Sequence, residues 1–318
     1  MTDNVDSRDD TGRWVVSRRV LLRSAAAAAA LGSLSCAHRG LLSGRRRPLR
    51  FGIVTDAHYA DADPAGTRFY RASLDKMAEC VALMNQEKVE FLIELGDFKD
   101  QDRPPVEGRT LKYLEDIEAV FQQFHGPTYH ALGNHDVDSI SKAQFLARVE
   151  NTGIDSDRSY YSFDCQGLWG IVLDANYKGD GTDYDKGNFN WTDANIPPRQ
   201  LTWLRDELAA ASGPVVVFSH QLLDGTDAVS IKNASEVRAV LEESGKVLGV
   251  FHGHHHAGRY RTIGGIDYYT LKGMIEGPAQ EDNAYAIVEV RPDLTICVIG
   301  YRKAVGADFE SSVVALAD

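Results

Sequence analysis

The chain has 318 residues, 43% hydrophobic and 25% charged, which is enough apolar material for a sizeable core and excludes a disordered, collagen-like or coiled-coil protein. The formal charge is -12, but residues 1–50 hold ten Arg against four Asp, so the other 268 residues carry 24 Lys plus Arg against 42 Asp plus Glu. That acidic body, -18 in balance, argues against a nucleic-acid-binding face. No run reaches the roughly 18 apolar residues of a membrane span.

In chain order, residues 17–23 form a basic patch that leads into Ser24, six alanines at 25–30 and a weakly hydrophobic end at 31–34. This is the order of a signal peptide. The paired Arg18 and Arg19 resemble the twin-arginine export signal of bacteria, which predicts a leader over 1–36 and a periplasmic or extracellular protein. Small residues Ser33 and Ser35 precede Cys36, so cleavage fits there and Cys36 is a candidate lipid-anchor site. Its lipobox match is poor, with Ser33 where Leu is expected. Residues 37–49, including Arg45-Arg46-Arg47-Pro48, read as a solvated linker, and 50–318 as one domain.

From residue 49 onward, apolar runs alternate with amphipathic segments. Strands are predicted at 49–54, 89–95, 127–132, 159–164, 168–174, 214–219 and 247–252. Helices are predicted at 70–87, 111–124, 198–211 and 234–243. The chain ends in β structure, with a Gly264-Gly265 hairpin turn between 259–263 and 266–271, then strands at 284–290 and 294–301. Cys80, Cys165 and Cys297 form no CxxC pair and read as buried thiols, although one disulfide among them fits an exported protein. The whole describes a layered α/β sandwich whose parallel strands feed loops along one active edge.

The polar residues closing those strands form a set. Asp56 and His58 follow the first strand; Asp97 and Asp100 the second; Asn134, His135 and Asp136 the third; His220 follows 214–219, and His254 and His256 follow 247–252. A parallel sheet gathers strand ends along one edge, so these residues can meet although about 200 positions separate the first from the last. Mixed His, Asp and Asn without thiolate suits Mn, Fe, Zn or similar ions rather than a structural zinc site. His125, His130, His252 and His255 read as structural or solvated.

The motifs DxH (Asp56, His58), GDxxD (Gly96, Asp97, Asp100), GNHD (residues 133–136), a lone strand-end histidine (His220) and GHxH (Gly253, His254, His256) resemble, in order and rough spacing, those of the calcineurin-like metallophosphoesterases. Each motif is weak alone; the five together are specific. The resemblance implies an α/β fold, a four-layer αββα sandwich of two mixed β-sheets flanked by helices. It implies two divalent or trivalent metal ions, Mn, Fe or Zn. Asp56, His58 and His256 would hold one, Asn134, His220 and His254 the other, and Asp97 would bridge them. Such a pair shares one carboxylate, lowers the pKa of a bridging water and clamps phosphoryl oxygens. A metal-bridging hydroxide is then the nucleophile, with His135 as general acid oriented by Asp136, and Asp100 supports the ligands rather than joining them.

The implied activity is hydrolysis of phosphate esters or phosphoanhydrides on a phosphorylated small molecule, with monoester, diester and pyrophosphate cleavage all open. Residues 56–61 and 66–71 look closest to exported bacterial metallophosphatases and are similar to the manganese-dependent ADP-ribose/CDP-alcohol diphosphatases. A nucleotide-type pyrophosphatase or phosphodiesterase is therefore one alternative. At His58 the sequence departs from that branch, which carries Gln. The polar segment 174–196 is expected to form a loop over the active edge. Tyr59, Phe189 and Trp191 could stack on a base, and Arg68 or Arg71 could hold a second phosphate, or all could serve packing and surface roles. A non-catalytic scaffold of the same fold is a further alternative, disfavoured because no ligand position is missing.

Overall fold

The amphipathic segments and apolar runs resolve, in a computed structural model that describes residues 47–309, into seventeen principal elements. The twin-arginine segment and Cys36 lie outside the described residues. In order the elements are β1 (Leu49–Val54), α1 (Ser73–Glu87), β2 (Leu92–Glu94), α2 (Glu107–Phe121), β3 (Thr128–His130), α3 (Lys142–Leu146), β4 (Tyr161–Cys165), β5 (Leu168–Leu173), α4 (Pro198–Ala210), β6 (Val215–Ser219), α5 (Ala234–Ser244), β7 (Val247–His252), β8 (Arg259–Ile263), β9 (Ile266–Thr270), β10 (Ala284–Val290), β11 (Ile296–Arg302) and β12 (Ala307–Phe309).

Two six-stranded mixed sheets form, ordered β12-β11-β10-β1-β2-β3 and β4-β5-β6-β7-β9-β8. Strands β1, β2 and β3 are parallel, as are β5, β6, β7 and β9. The expected C-terminal antiparallel set divides between the sheets. The β8–β9 hairpin extends the second sheet, while β10 to β12 return to the first and lie antiparallel beside β1.

Strand periodicity builds the layers. In β1, Leu49, Phe51 and Ile53 enter the core between the sheets, where they meet Phe91, Phe163, Phe218 and Phe251. Phe51 stacks on Phe91 with ring centroids 4.7 Å apart and meets Phe218 and Phe251 edge-on, each at 5.8 Å. The alternate positions face helices. A side chain on Gly52 would strike Met84 of α1, and Val54 joins the outer core formed with Met77, Leu114 and Phe121 of α1 and α2. On the far side, Val215 and Val217 of β6 pack with Leu204, Leu208, Val237 and Leu241 of α4 and α5. Each fully buried side chain of this size contributes about 1.5–3 kcal/mol, so three apolar layers hold four structural ones.

Several boundaries differ from the sequence reading. β2 and β3 are three residues each, because the chain leaves the ladder to form the loops at Gly96 and Gly133. α2 begins at Glu107; its first turn is polar and shows no apolar periodicity. α3 is too short for periodicity and is marked instead by a capping box, Ser141 with Gln144. Cys80, Cys165 and Cys297 form no disulfide, and Cys165 is half-buried rather than buried.

Candidate metal centre

Every loop that follows a central parallel strand brings polar side chains to the same edge, and the two sheets share that edge. Asp56, His58, Asp97 and Asn134 come from the ends of β1, β2 and β3; His220, His254 and His256 come from β6 and β7. All but His254 and His256 are essentially excluded from solvent.

The backbone there is strained. Asp56, His58, Asp97 and His254 adopt positive φ of 52°, 44°, 57° and 65°, the left-handed region in which a side chain normally costs energy. Close backbone approach explains the motif glycines. A Cβ on Gly133 would lie 2.2 Å from both the Asp97 amide nitrogen and Oδ1, and one on Gly253 would lie 2.0 Å from Thr55 Oγ1.

Two clusters result. In the first, Asp56 Oδ1 lies 3.3 Å from His256 Nε2 and 3.7 Å from His58 Nε2, and the two Nε2 atoms are 3.3 Å apart. In the second, Asp97 Oδ2 lies 3.2 Å from His220 Nε2, which is 3.2 Å from His254 Nδ1. The same Asp97 Oδ2 is 3.5 Å from His58 Nε2, so one carboxylate oxygen borders both groups.

The donor atoms left over fit cations. Asp56 Oδ2 is engaged by Thr55 Oγ1 at 2.8 Å and by the His254 amide at 3.0 Å, which leaves Oδ1 buried without a hydrogen-bond partner. Asn134 Oδ1 is likewise buried and unpartnered. Buried acceptors of this kind carry a desolvation cost unless something positive satisfies them. The histidine tautomers are set from behind: His220 Nδ1 donates to the Leu95 carbonyl at 2.8 Å, and His256 Nδ1 faces Glu276 Oε1 at 2.7 Å. Both Nε2 lone pairs are thereby directed into the clusters.

Charge coupling inside the site is strong. Burial raises the Asp97 carboxyl, but the charges of His220, His135 and His58 outweigh it and hold Asp97 well below the usual range. Asp56 is lowered in the same way, against burial, chiefly by His256. Burial pushes His220 and His256 down, yet Asp97 and Asp56 respectively drive each up to about 9. His254, with burial and the neighbouring His220 both acting against its charged form, falls to about 3.

His135 lies at the mouth, its side chain 27% exposed, with its ring 4.6 Å from that of His58. Its orientation corrects one expectation. Asp136 does not hold it: Asp136 Oδ2 accepts from the amides of Asp97 and Gly133 at 2.9 and 2.8 Å, and Oδ1 from Phe98 at 2.9 Å. Asp136 therefore ties the β2 and β3 loops together. The carboxylates near His135 Nδ1 are Asp100 at 3.5 Å and Asp138 at 3.7 Å. Buried Lys99 fixes Asp138 and also donates to the His135 carbonyl. Burial works against a charged His135, but Asp97 and these two carboxylates raise it to about 10. Asp100 also faces His58 Nδ1 at 3.3 Å, consistent with its expected supporting place.

The expected substrate residues separate. Trp191, 46% exposed, meets the His254 ring edge-on at 5.9 Å, so the 174–196 segment does reach the site. Phe189 instead stacks on buried Tyr184 at 4.8 Å and packs on the α1–α2 core. Tyr59 is buried against Tyr113. Arg71 is engaged on the surface by Asp61 and Asp63, whereas Arg68 forms an isolated β-bridge with Glu276, beside His256. His130 pairs with Glu118 at 3.1 Å, His252 accepts from the Leu223 amide at 3.2 Å, and neither His125 nor His255 joins a cluster. Lys99, Asp138 and Glu276 escaped the sequence reading. Asp138 stands two positions past the GNHD motif, Lys99 hides inside GDxxD, and Glu276 lies in an irregular segment with no motif.

The comparisons with known proteins agree with this geometry. The family model for the calcineurin-like phosphoesterases matches residues 49–258. A protein of Oryza sativa subsp. japonica named manganese-dependent ADP-ribose/CDP-alcohol diphosphatase is 28% identical over 306 residues, covering 80% of this chain and 92% of that protein. One of the same name from Arabidopsis thaliana is 24% identical, covering 85% and 99%. The crystal structure of a dimetal phosphatase from Danio rerio shares the fold, with a TM-score of 0.71 at 22% identity over 83% of this chain and 99% of that one. The family match spans more than half of the chain and every candidate ligand from Asp56 to His256, and the chain belongs to the calcineurin-like phosphoesterase family.

Proposed function

We propose that this metallophosphoesterase hydrolyses phosphoanhydrides and phosphate esters, with two-phosphate compounds of the ADP-ribose or CDP-alcohol kind as its preferred substrates. The observation that carries the reading is the placement of Asp97 Oδ2 between two His-rich clusters, within 3.5 Å of His58 and 3.2 Å of His220. Asp56, His58 and His256 would hold one ion, and Asn134, His220 and His254 the other, with Asp97 between. When bound, such a pair supplies Lewis acidity toward phosphoryl oxygens and a nucleophile at neutral pH. The substrate preference is supported by similarity over nearly the full length of the two plant diphosphatases.

The chain's own groups do the rest. His135, flanked by Asp100 and Asp138, holds a proton at the mouth and delivers it to the leaving oxygen. The exposed ring of Trp191 offers an apolar surface beside His254 for the organic part of the substrate. Asp136 keeps the Asp97 and Asn134 loops in register.

The test is turnover of 4-nitrophenyl phosphate, bis(4-nitrophenyl) phosphate and ADP-ribose by metal-stripped protein before and after reloading with Mn²⁺. Activity should require the metal, and Asp97→Ala should lose on the order of a thousand-fold or more in kcat/KM. Retained turnover in Asp97→Ala defeats the two-ion account. We infer further that the Arg18-Arg19 leader exports the protein and is removed before Cys36. The mass of the mature N-terminus from a periplasmic fraction distinguishes an acylated from an unacylated cysteine, and an intact leader there would contradict the processing.

A further inference from the structure

An open-mouthed cavity of about 480 Å³ lies beside His256, and most of its wall comes from residues after the last of the metal-ligand motifs. The family match ends at residue 258, whereas Lys272, Glu276, Asp282 and Lys303 all line this cavity.

The wall is held in place before anything binds. The Phe69 amide donates to the Ile275 carbonyl at 3.0 Å and the Gly277 amide to the Thr67 carbonyl at 2.9 Å, which pairs the segment before α1 with the loop after β9. Beneath that loop the buried Lys76 ammonium donates to the carbonyls of Met274, Glu276 and Gly277 at 2.9, 2.8 and 2.8 Å. Three backbone acceptors on one cation fix the loop's course, and preorganisation of this kind reduces the ordering cost of binding.

Within an acidic body, the charges lining the cavity are balanced, two lysines against two acids. Lys272 and Lys303 line it, and Arg68 is joined to Glu276 by an isolated β-bridge, which adds a third cation beside the wall. The acids present have other work. Glu276 is committed to His256 Nδ1 at 2.7 Å, and Asp282 accepts from the Ala279 amide at 3.2 Å and stands 3.7 Å from Lys303. Lysine ammonium groups suit phosphoryl oxygens as compact charges, and Phe69 adds an apolar face to the same wall.

We infer that this cavity is the subsite for the second, non-reacting phosphoryl group of a two-phosphate substrate, held by Lys272 and Lys303, with Phe69 against the organic group beyond it. The inference rests on the phosphohydrolase reading above and adds where the remainder of the substrate lies. It accounts for a preference for two phosphates over one by residues that lie beyond the metal-ligand motifs.

The test compares the Mn²⁺-loaded parent with Lys272→Gln, Lys303→Gln and the double variant. The ratio of kcat/KM for ADP-ribose to kcat/KM for 4-nitrophenyl phosphate should fall about ten-fold or more in the double variant, the size of a lost charge-assisted hydrogen bond, and the change should lie in KM. Lys272→Arg should recover part of it. Equal losses on both substrates, or an unchanged ratio, would overturn the subsite. Calorimetric titration with ADP and AMP decides the matter separately from catalysis. The parent should bind ADP more tightly than AMP, with the margin lost in the double variant; a margin that survives the substitutions, or a parent with none, refutes the subsite. If the parent cleaves neither ADP-ribose nor 4-nitrophenyl phosphate, the hydrolase reading fails on its own, and the titration still tests the cavity by itself.

Discussion

Neutral imidazole can take a cation and imidazolium cannot. Burial lowers His220 and His256, but their aspartate neighbours lift both to about 9, so at pH 7 the metal-free protein carries protons at both positions. Mn²⁺ binding must release them, and affinity should therefore rise with pH until about 9. Calorimetry in buffers of different ionisation enthalpy will count the protons; pH-independent affinity would contradict the ligand assignment. The sign for stability follows from the same shifts. Raised histidines stabilise the metal-free fold fully below their unfolded value of about 6.5, and the contribution is lost as pH climbs through the folded one. Metal-free protein should thus melt at a lower temperature at pH 9 than at pH 7, and excess Mn²⁺ should remove or reverse that difference. His135 makes a separate prediction. If it protonates the leaving oxygen, His135→Ala should slow esters of poor leaving groups by about 10²–10⁴-fold and 4-nitrophenyl esters by much less. A uniform loss would reduce it to a binding group.

At the level of elements, the site is a property of loops pinned to strand ends. Asp136 joins two of them through four backbone amides, and Gly133 lets the β3 loop pass within contact of Asp97. Gly133→Ala should therefore cost about 1–3 kcal/mol through overpacking and lower metal occupancy together with thermal stability, measured by metal analysis and a melting curve on the same sample. This is also where the sequence was most and least informative. Asp56, Asp97, His220 and His256 could be placed from sequence because each closes an apolar run of strand length, and a parallel sheet converts that linear fact into a shared edge. The partners of His135 could not be placed. Asp136 is adjacent to it in sequence, yet the turn at residues 135–137 aims its carboxylate at backbone amides, and the carboxylates that reach the imidazole are Asp138, which closes that same turn, and Asp100 from the loop after β2. Glu276 was hidden for a related reason: its contact with His256 is made across 20 residues by a loop without periodicity. Aromatic residues in the 174–196 segment were legible as a group, but only packing separates Phe189, which serves the core, from Trp191, which meets His254.

On the scale of the molecule, neither cluster belongs to one sheet. Asp56 and His58 meet His256 across the seam, and Asp97 meets His220 and His254 across it. Ions at these positions would link the two halves of the sandwich as well as serve chemistry. At free Mn²⁺ about a hundred-fold above Kd, each site should add about 2.7 kcal/mol to stability. Differential scanning calorimetry with and without a chelator will show it as a metal-dependent melting temperature. Identical transitions would mean that the clusters bind nothing tightly. The two-sheet arrangement, and the return of β10 to β12 to the first sheet, also explain why the C-terminal part could be read as strands but not assigned: hairpin signals give pairing, and give no information on which sheet receives the pair.

The left-handed turns at Asp56, His58, Asp97 and His254 have an evolutionary corollary. Aspartate and histidine tolerate such conformations better than most side chains, but glycine and asparagine occupy them at lower cost, so the choice of the former answers to the ions they serve. In descendants that retain this architecture for adhesion or assembly alone, those four positions should drift toward glycine and asparagine before the surrounding core changes. A count of such replacements among homologues would thus sort working hydrolases from retired ones without an assay.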